Sequence, residues 1–266
     1  MISRTYRDPP PSYAEATGAA TNLDDPADTR TNTTSLDPEI YSRSGGHIFP
    51  PAFCVYCQST RHYIIGESHY LPLYAVSTHS SLSSKPDLVL YSGASEDTPP
   101  LAFVDHEPFS RSAGITLPAR RQGSPSFPAS HELLESGGPF TRTLSFDIET
   151  AASDGRREHF EWRHSSGVEI EALGGRHSGW KLVRLSPPGM SKRRNNRGNN
   201  STLGEVVAVW VATGMFMARV LRFQFLGSGA DGSLGERWAV MAVASALAIW
   251  NRDLRVRNRG LATASF

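Results

Sequence analysis

The chain has 266 residues, of which 39% are hydrophobic and 20% charged, and its formal net charge is +1. This composition is that of a globular protein with one large domain or two small ones, and the near-neutral charge gives no reason to expect nucleic acid as a partner. Its two cysteines are too few for the disulfide framework of a secreted scaffold.

The first 50 residues are rich in proline, threonine, alanine and aspartate, with almost no large aliphatic side chains. Such a segment buries too little apolar surface to offset its ordering entropy, so we predict a disordered tail over residues 1–50. Its start lacks the apolar core of a secretory signal. We therefore expect a cytoplasmic protein and leave peripheral attachment to a membrane open.

Within this tail, Pro10, Pro11, Ser12 and Tyr13 form a P-P-x-Y sequence of the type that WW domains bind. The prolines pre-form a polyproline II turn, which fits between aromatic side chains, and the tyrosine ring fills a second pocket. WW domains are prominent in HECT-type ubiquitin ligases, so a ligase is one candidate partner. The alternative is a proline-rich tail that contains Tyr13 by chance.

Cys54 and Cys57 form a lone C-x-x-C motif. A zinc site would need about two further ligands, for which His47 and His62 are the nearby candidates. Thioredoxin-like chemistry needs a helix directly after a strand, which the pattern lacks. We therefore predict structural or incidental thiols, with no metal and no cofactor.

From about Phe53 onward, short apolar runs are separated by clusters of glycine, proline, serine and asparagine. In TLSFDIE, the apolar Leu144, Phe146 and Ile148 alternate with polar residues, which is typical of an antiparallel sheet with one wet face. The predicted strands are PLYAVSTH, DLVLYSG, LAFVDH, GITLP, RTLSFDIE, HFEWRHS, VEIEALG, GWKLVRL, EVVAVWVA and ARVLRFQFLG. Polar segments around 119–140 and 186–203 are predicted loops.

The D-x-E of SFDIET, Asp147 and Glu149, resembles the first motif of DEDD-type exonucleases, in which two metal ions cleave a phosphodiester. That family needs two further aspartates in set contexts. The later aspartates Asp154, Asp231 and Asp253 lack the neighbouring tyrosine or histidine of its last motif. We therefore expect a protein without catalytic residues, and keep a metal-dependent nuclease as an alternative.

The predicted loop at 186–203 carries a basic cluster, Lys192, Arg193, Arg194 and Arg197. These side chains could contact anionic lipid or act as a nuclear-import signal. The alternative is a solvated loop with no partner.

A helix is predicted over residues 233–252. Ser233 and Glu236 have the spacing of a capping box, and Arg252 and Arg255 would favour the helix dipole at the other end. The uncharged stretch from Trp238 to Trp250 is apolar on every face, so it must be buried all round. At ~1.5 Å per residue it reaches ~20 Å, short of the ~30 Å of a bilayer core. The glycines of GSGADG just before it predict a tight strand-to-helix turn.

Taken together, these elements predict a mainly β protein: an antiparallel β-barrel that encloses a hydrophobic C-terminal α-helix. The predicted organisation is a tail at 1–50, a barrel at 51–256 with its central helix at 233–252, and a flexible C-terminal segment at 257–266. We expect a monomer without a transmembrane segment.

Four segments, FEWRHSSGVEIEAL, GWKLVRL, EVVAVW and FQFLGSGADGSLGERWAVMAVASALAIW, resemble filamentous-fungal proteins of the tubby C-terminal-like superfamily. That superfamily includes the LURP-one-related and phospholipid scramblase families. The resemblance covers residues 53–255 in the order of elements. It implies a barrel around a helix and a connection to lipids or membrane surfaces, and it supplies no catalytic motif.

The sequence and the resemblance together predict an interaction or adaptor protein. Its tail would recruit a WW-domain protein, and its barrel would recognise a lipid surface or another protein. The alternative is a phosphoinositide-binding or membrane-surface module, because some tubby proteins hold phosphoinositide headgroups with lysine and arginine side chains.

Overall fold

A computed structural model describes residues 48–263, apart from 81–82, 108–109, 120–127, 139–140, 154–155, 175–177, 186–203 and 214–217, and gives residues 259–263 as helical backbone only. Within this part of the chain there are twelve strands and two α-helices. The strands are β1 (Ala52–Cys57), β2 (His62–Ser68), β3 (Leu71–Thr78), β4 (Leu88–Tyr91), β5 (Pro100–His106), β6 (Ala113–Leu117), β7 (Ser130–Ser136), β8 (Thr143–Glu149), β9 (Arg157–Ser165), β10 (Gly179–Leu185), β11 (Gly204–Ala212) and β12 (Arg219–Phe225). The helices are α1 (Val168–Glu171) and α2 (Glu236–Thr263).

The twelve strands form one closed antiparallel barrel, in which each strand pairs with its neighbours in sequence and β1 pairs with β12. At the closing seam Phe53 lies opposite Phe223, and their rings stack with centroids 4.9 Å apart. Closure leaves no open edge to the sheet. The predicted fold class, an antiparallel barrel with a C-terminal helix inside, is confirmed.

Helix α2 runs through this barrel. Every residue from Val240 to Asn251 is buried, and Ala242 and Ser245 have no exposed surface. We call the end where α2 begins the helix-entry end, and the opposite end the helix-exit end. At the entry end the Ala151 N–H, just after β8, donates to the Leu234 carbonyl at 3.1 Å.

The 28 residues of α2 span about 42 Å at 1.5 Å each, whereas a seven-residue strand spans about 23 Å. The helix is therefore longer than the barrel is deep, and Val256, Arg257 and Asn258 near its end are exposed. In the part of the chain that the structure describes, no helix has both the length and the apolarity to span a bilayer.

The predicted bounds of this helix, 233–252, are corrected at both ends. Gly235 has a φ of +87°, which is not helical, and its carbonyl accepts the first helical bond from the Ala239 N–H. The Ser233 hydroxyl donates to the Ser228 carbonyl at 3.2 Å instead of capping α2. At the other end the helix continues to Thr263, so residues 257–263 are helical although we predicted a flexible segment. Arginine favours helix in water, and these turns need no apolar cover.

Two further predictions about secondary structure are wrong. VEIEALG contains α1 and no strand, because Ile170 and Leu173, three residues apart, pack on Val209 outside the barrel. The predicted loop at 119–140 contains β7, which buries Glu132 where a core strand usually places an apolar residue. The Arg157 guanidinium pairs with Glu132 at 2.6 Å, which allows this carboxylate to be buried.

The packed barrel includes residues just before the predicted domain start at 51. Ile48 and Phe49 are buried in the core, and the Tyr74 hydroxyl donates to the Ile48 carbonyl. The predicted tail therefore lies outside the described residues up to His47.

Candidate functional site

The interior of the barrel is filled by side chains. Met241 and Leu247 of α2 are buried among strand residues such as Trp162 and Phe160, which are themselves fully buried. Barrels that enclose a ligand leave space between their walls, and α2 occupies that space here. The described interior therefore leaves no space for a ligand beside α2.

An open cavity of about 900 Å³ lies at the helix-exit end, and we call it the exit pocket. The departing turns of α2 form one side of it, the ends of β9, β10 and β11 a second side, and the segments around β4 and β5 a third. Its lining includes Lys85, Asp87, Asp105, His106, Glu107, Arg111, His164, Trp180, Trp210, Ala212, Arg252, Asp253, Arg255, Val256 and Arg257.

Asp87 is the centre of a charged cluster in this lining. It accepts a 2.8 Å hydrogen bond from Arg255 on α2 and a 2.9 Å bond from the His106 backbone N–H. Burial raises the pKa of Asp87, but the bonds from His106 and Arg255 outweigh burial, and the pKa lies below its ordinary value. These bonds hold α2 to the rim of the barrel at the point where the helix leaves it.

The ring of His106 lies between two acceptors. Its Nδ1 is 3.2 Å from Asp87 Oδ2, and its Nε2 is 3.0 Å from the Ala248 carbonyl oxygen on α2. A carboxylate and a carbonyl both accept, and each neutral tautomer of the ring donates to one of the two. The small Ala248 side chain suits the close approach of α2 to β5.

Arg252 is a second cation of the pocket, and its side chain is 14% exposed. It donates to the Arg111 carbonyl at 2.9 Å and, at 3.4 Å, to the carboxylate of Asp253. Burial lowers the pKa of Arg252, Asp253 raises it, and the nearby charge of Arg111 lowers it further. We predicted Arg252 and Arg255 as partners of the helix dipole. The helix continues for two turns beyond them, so they serve the pocket and the rim instead.

The side of the pocket formed by β9–β11 is aromatic. The rings of Trp180 and Trp210 stack at a centroid distance of 6.2 Å, and the edge of His164 meets Trp180 at 5.6 Å. Burial, and then the charge of Arg142, lower the pKa of His164, so this ring is neutral at pH 7. The buried Trp210 Nε1–H has no acceptor among the described residues.

Both sites that the sequence predicted lie outside the described residues. They are the WW ligand at Pro10, Pro11, Ser12 and Tyr13, and the basic cluster at Lys192, Arg193, Arg194 and Arg197. The described residues on either side of the basic segment, the end of β10 and the start of β11, lie at the helix-entry end.

The D-x-E pair lies on the exposed face of β8, as the alternation predicted. Asp147 and Glu149 are exposed, and Asp147 Oδ1 is 3.0 Å from Nδ1 of His159 on β9. Asp253 lies at the helix-exit end, whereas β8 carries this pair towards the entry end. The structure therefore does not bring Asp253 to the two acids.

Cys54 and Cys57 are free thiols three residues apart on β1, so they point to opposite faces of the strand. His62 Nδ1 contacts Glu96, and His47 is not described. Within the described residues there is no group of three or more histidine, cysteine or acidic side chains placed to hold a metal ion.

The glycines before α2 form the predicted strand-to-helix turn. Gly227, Gly232 and Gly235 have positive φ values, which glycine adopts without strain. The cavity beside them has a volume of about 10 Å³. That is about the size of one water molecule and too small for a phosphate.

Comparisons of this chain with protein-family models, with curated proteins and with solved structures give no match.

Proposed function

We propose that this chain is a non-enzymatic adaptor. Its Pro10-Pro11-Ser12-Tyr13 segment binds a WW-domain protein, for which a HECT-type ubiquitin ligase is one class, and its barrel recognises a lipid or a protein at the helix-exit end. The filled interior of the barrel carries the second half of the proposal, because among the described residues it leaves no room for a ligand beside α2, whereas the exit pocket has a volume of about 900 Å³.

Membership of the tubby C-terminal-like superfamily is part of this proposal. A closed barrel of twelve antiparallel strands around a buried C-terminal helix is the arrangement that the resemblance implies, and it supports that membership. The function itself is argued from the P-P-x-Y sequence and the exit pocket, because a fold hosts many unrelated functions.

The proposed binding of the Pro10–Tyr13 segment to a WW domain is tested by capture on an immobilised tandem-WW fragment. We expect the full chain to be retained and Tyr13→Ala to be lost, because the tyrosine ring fills one of the two ligand pockets. Ser12→Ala is the matched control, since Ser12 occupies the variable position, and Tyr6→Ala controls for a tail tyrosine without preceding prolines. Equal recovery of wild type and Tyr13→Ala would exclude this motif.

A second candidate is a membrane-surface module that binds phosphoinositides. The observation that favours it is the basic cluster Lys192, Arg193, Arg194 and Arg197, which lies between β10 and β11 in the sequence. Co-sedimentation with vesicles, with and without phosphoinositide, tests it. Replacement of all four residues by alanine should abolish sedimentation, and an unchanged result would exclude this segment.

A further inference from the structure

We propose that the exit pocket binds a small amphipathic anion: a carboxylate or phosphate monoester attached to an apolar body. This inference rests on the proposal that the barrel recognises its ligand at the helix-exit end. The volume of about 900 Å³ lies within the range of small-molecule sites. The kind of ligand follows from the less exposed charges of the pocket and from its apolar lining.

The less exposed charges of the pocket have a positive balance. Arg252, Arg255 and Asp87 have side-chain exposures of 14%, 22% and 11%. The remaining acids are more exposed: Asp253 is 43% exposed, and Asp105 and Glu107 are exposed. Among the described residues Asp87 pairs with Arg255, whereas Arg252 pairs with the more exposed Asp253 at 3.4 Å. Buried charge is costly without a counter-ion, so the inner part of the pocket favours an anion.

Arg252 also keeps donors for such an anion. A guanidinium has five N–H donors, and among the described residues two nitrogens of Arg252 are engaged, one with the Arg111 carbonyl and one with Asp253 at 3.4 Å. The proximity of Arg111, whose charge lowers the pKa of Arg252, places two cations side by side. A carboxylate or phosphate matches the fork of a guanidinium and relieves this repulsion.

The apolar body of the ligand has one exposed apolar side chain to contact, Val256 on α2, which lines the pocket and is 62% exposed. Trp180 and Trp210 also line the pocket, but they are 8% and 2% exposed, so they form a packed wall with little free ring surface. Contact with this apolar lining favours a ligand with an apolar body, which an inorganic anion lacks.

The exposed lining of the pocket carries both signs of charge. Asp105 and Glu107 are exposed, and so are Lys85, Arg111 and Arg257. These charges therefore do not distinguish a free anion from a headgroup held in a bilayer. The choice of a free ligand rests on the volume of the cavity, and vesicles test the other source of the same chemistry.

The test is isothermal titration of the full chain with octanoate and with phenyl phosphate. Acetate and inorganic phosphate supply the charge without the apolar body, and octanol supplies the body without the charge. We expect both amphipathic anions to bind at least ten-fold more tightly than these three controls. We expect the affinity for octanoate to fall as the salt concentration rises, because the attraction is partly electrostatic.

Variants separate the pocket from general effects. Arg252→Gln should weaken octanoate binding at least ten-fold, and Arg252→Lys less, because the charge remains while the fork is lost. Arg237→Gln, at the helix-entry end of the same helix, should leave the affinity unchanged. Val256→Glu adds a negative charge at an exposed position, where folding is insensitive, and should weaken binding more than Val256→Gln.

Three results would overturn the inference: octanoate binding no better than octanol, equal affinities for Arg252→Gln and Arg237→Gln, or equal affinities for the two Val256 variants.

A parallel experiment uses phosphatidylcholine vesicles with 20% phosphatidylserine, chosen as about the charge density of an anionic leaflet. Sedimentation that depends on Arg252, without octanoate binding, would overturn the free ligand in favour of a membrane. Loss of octanoate binding with intact Tyr13-dependent capture would overturn this inference alone, whereas loss of that capture would overturn the WW half of the proposed function.

Discussion

The indole Nε1–H of Trp162 on β9 donates a hydrogen bond of 2.9 Å to Oγ of Ser245, near the middle of the buried part of α2. Ser245 in turn donates to the Ala242 carbonyl at 3.0 Å. It is the single hydroxyl residue between Trp238 and Trp250 in the sequence. This bond links the barrel wall to its central helix across 83 residues and fixes the rotation of the helix inside the barrel.

Removal of the Ser245 hydroxyl should therefore destabilise the fold. We expect Ser245→Ala to lower the free energy of unfolding by about 1–3 kcal/mol, because it leaves the buried Trp162 N–H without its acceptor. Urea denaturation measures this value. In the double variant Trp162→Phe with Ser245→Ala, the loss should be smaller than the sum of the single losses.

Trp210→Phe is the matched comparison for Trp162→Phe. Both exchanges remove similar ring area from buried sites, but the Trp210 N–H has no acceptor within the described chain. Trp162→Phe should therefore cost more stability than Trp210→Phe. Equal costs, or strict additivity of the Ser245 pair, would contradict the bond.

A charge in the middle of α2 should prevent folding. Ala242 has no exposed surface and Leu247 is 1% exposed, so a carboxylate at either position would be buried without a partner. We expect Ala242→Asp and Leu247→Asp to be insoluble or to lack a cooperative melting transition. Arg257→Asp, on the exposed part of the same helix, should remain soluble and melt cooperatively. A folded Ala242→Asp variant would refute the buried helix.

The stability of the helix-exit end should depend on pH through Asp87. Its pKa in the folded state is lowered by His106 and Arg255, so the stabilisation is complete above the unfolded-state pKa of about 3.9 and is lost as the pH falls towards the folded-state value. Asp87→Asn should therefore be destabilised at pH 7, and its difference from wild type should narrow below about pH 4. Unfolding free energies at pH 7, 5, 4 and 3 measure this. Asp105→Asn, exposed on β5, serves as the control, and a pH-independent difference for Asp87→Asn would contradict the assignment.

The turn before α2 should tolerate loss of the Ser233 hydroxyl but not a methyl group at Gly229. A Cβ at Gly229 would collide with the Val207 carbonyl oxygen and lie 2.7 Å from Cη2 of Trp238. We expect Gly229→Ala to cost about 1–3 kcal/mol through overpacking and Ser233→Ala less than about 0.5 kcal/mol. Thermal melting compares the two. A cost of about 1 kcal/mol for Ser233→Ala would restore the predicted helix cap.

The barrel and its helix were accessible from the sequence because their signals are local. Alternation in β8 and the uncharged stretch from Trp238 to Trp250 each indicate which residues are buried. Where a local pattern is ambiguous or interrupted, the prediction fails. In β7 the burial of Glu132 depends on its ion pair with Arg157, which is 25 residues away in the sequence. In α1 the apolar Val168 and Ile170 alternate with glutamates as they would in a strand, although the segment is helical.

The exit pocket could not be predicted, because no motif links its parts. Asp87 and Arg255 are 168 residues apart, and Arg252 and Arg111 are 141 residues apart. Only the closure of the barrel and the exit of α2 bring them together. The one available signal was the series of arginines directly after the apolar stretch, which the sequence analysis assigned to the helix dipole.

An adaptor must hold both partners at once, and one measurement tests this directly. The full chain is captured on an immobilised tandem-WW fragment, and octanoate is then titrated onto the captured protein. We predict that octanoate binds with the same Kd as in free solution, that Tyr13→Ala prevents capture, and that Arg252→Gln weakens octanoate binding alone. Release of the protein by octanoate, or captured protein that no longer binds octanoate, would contradict the account.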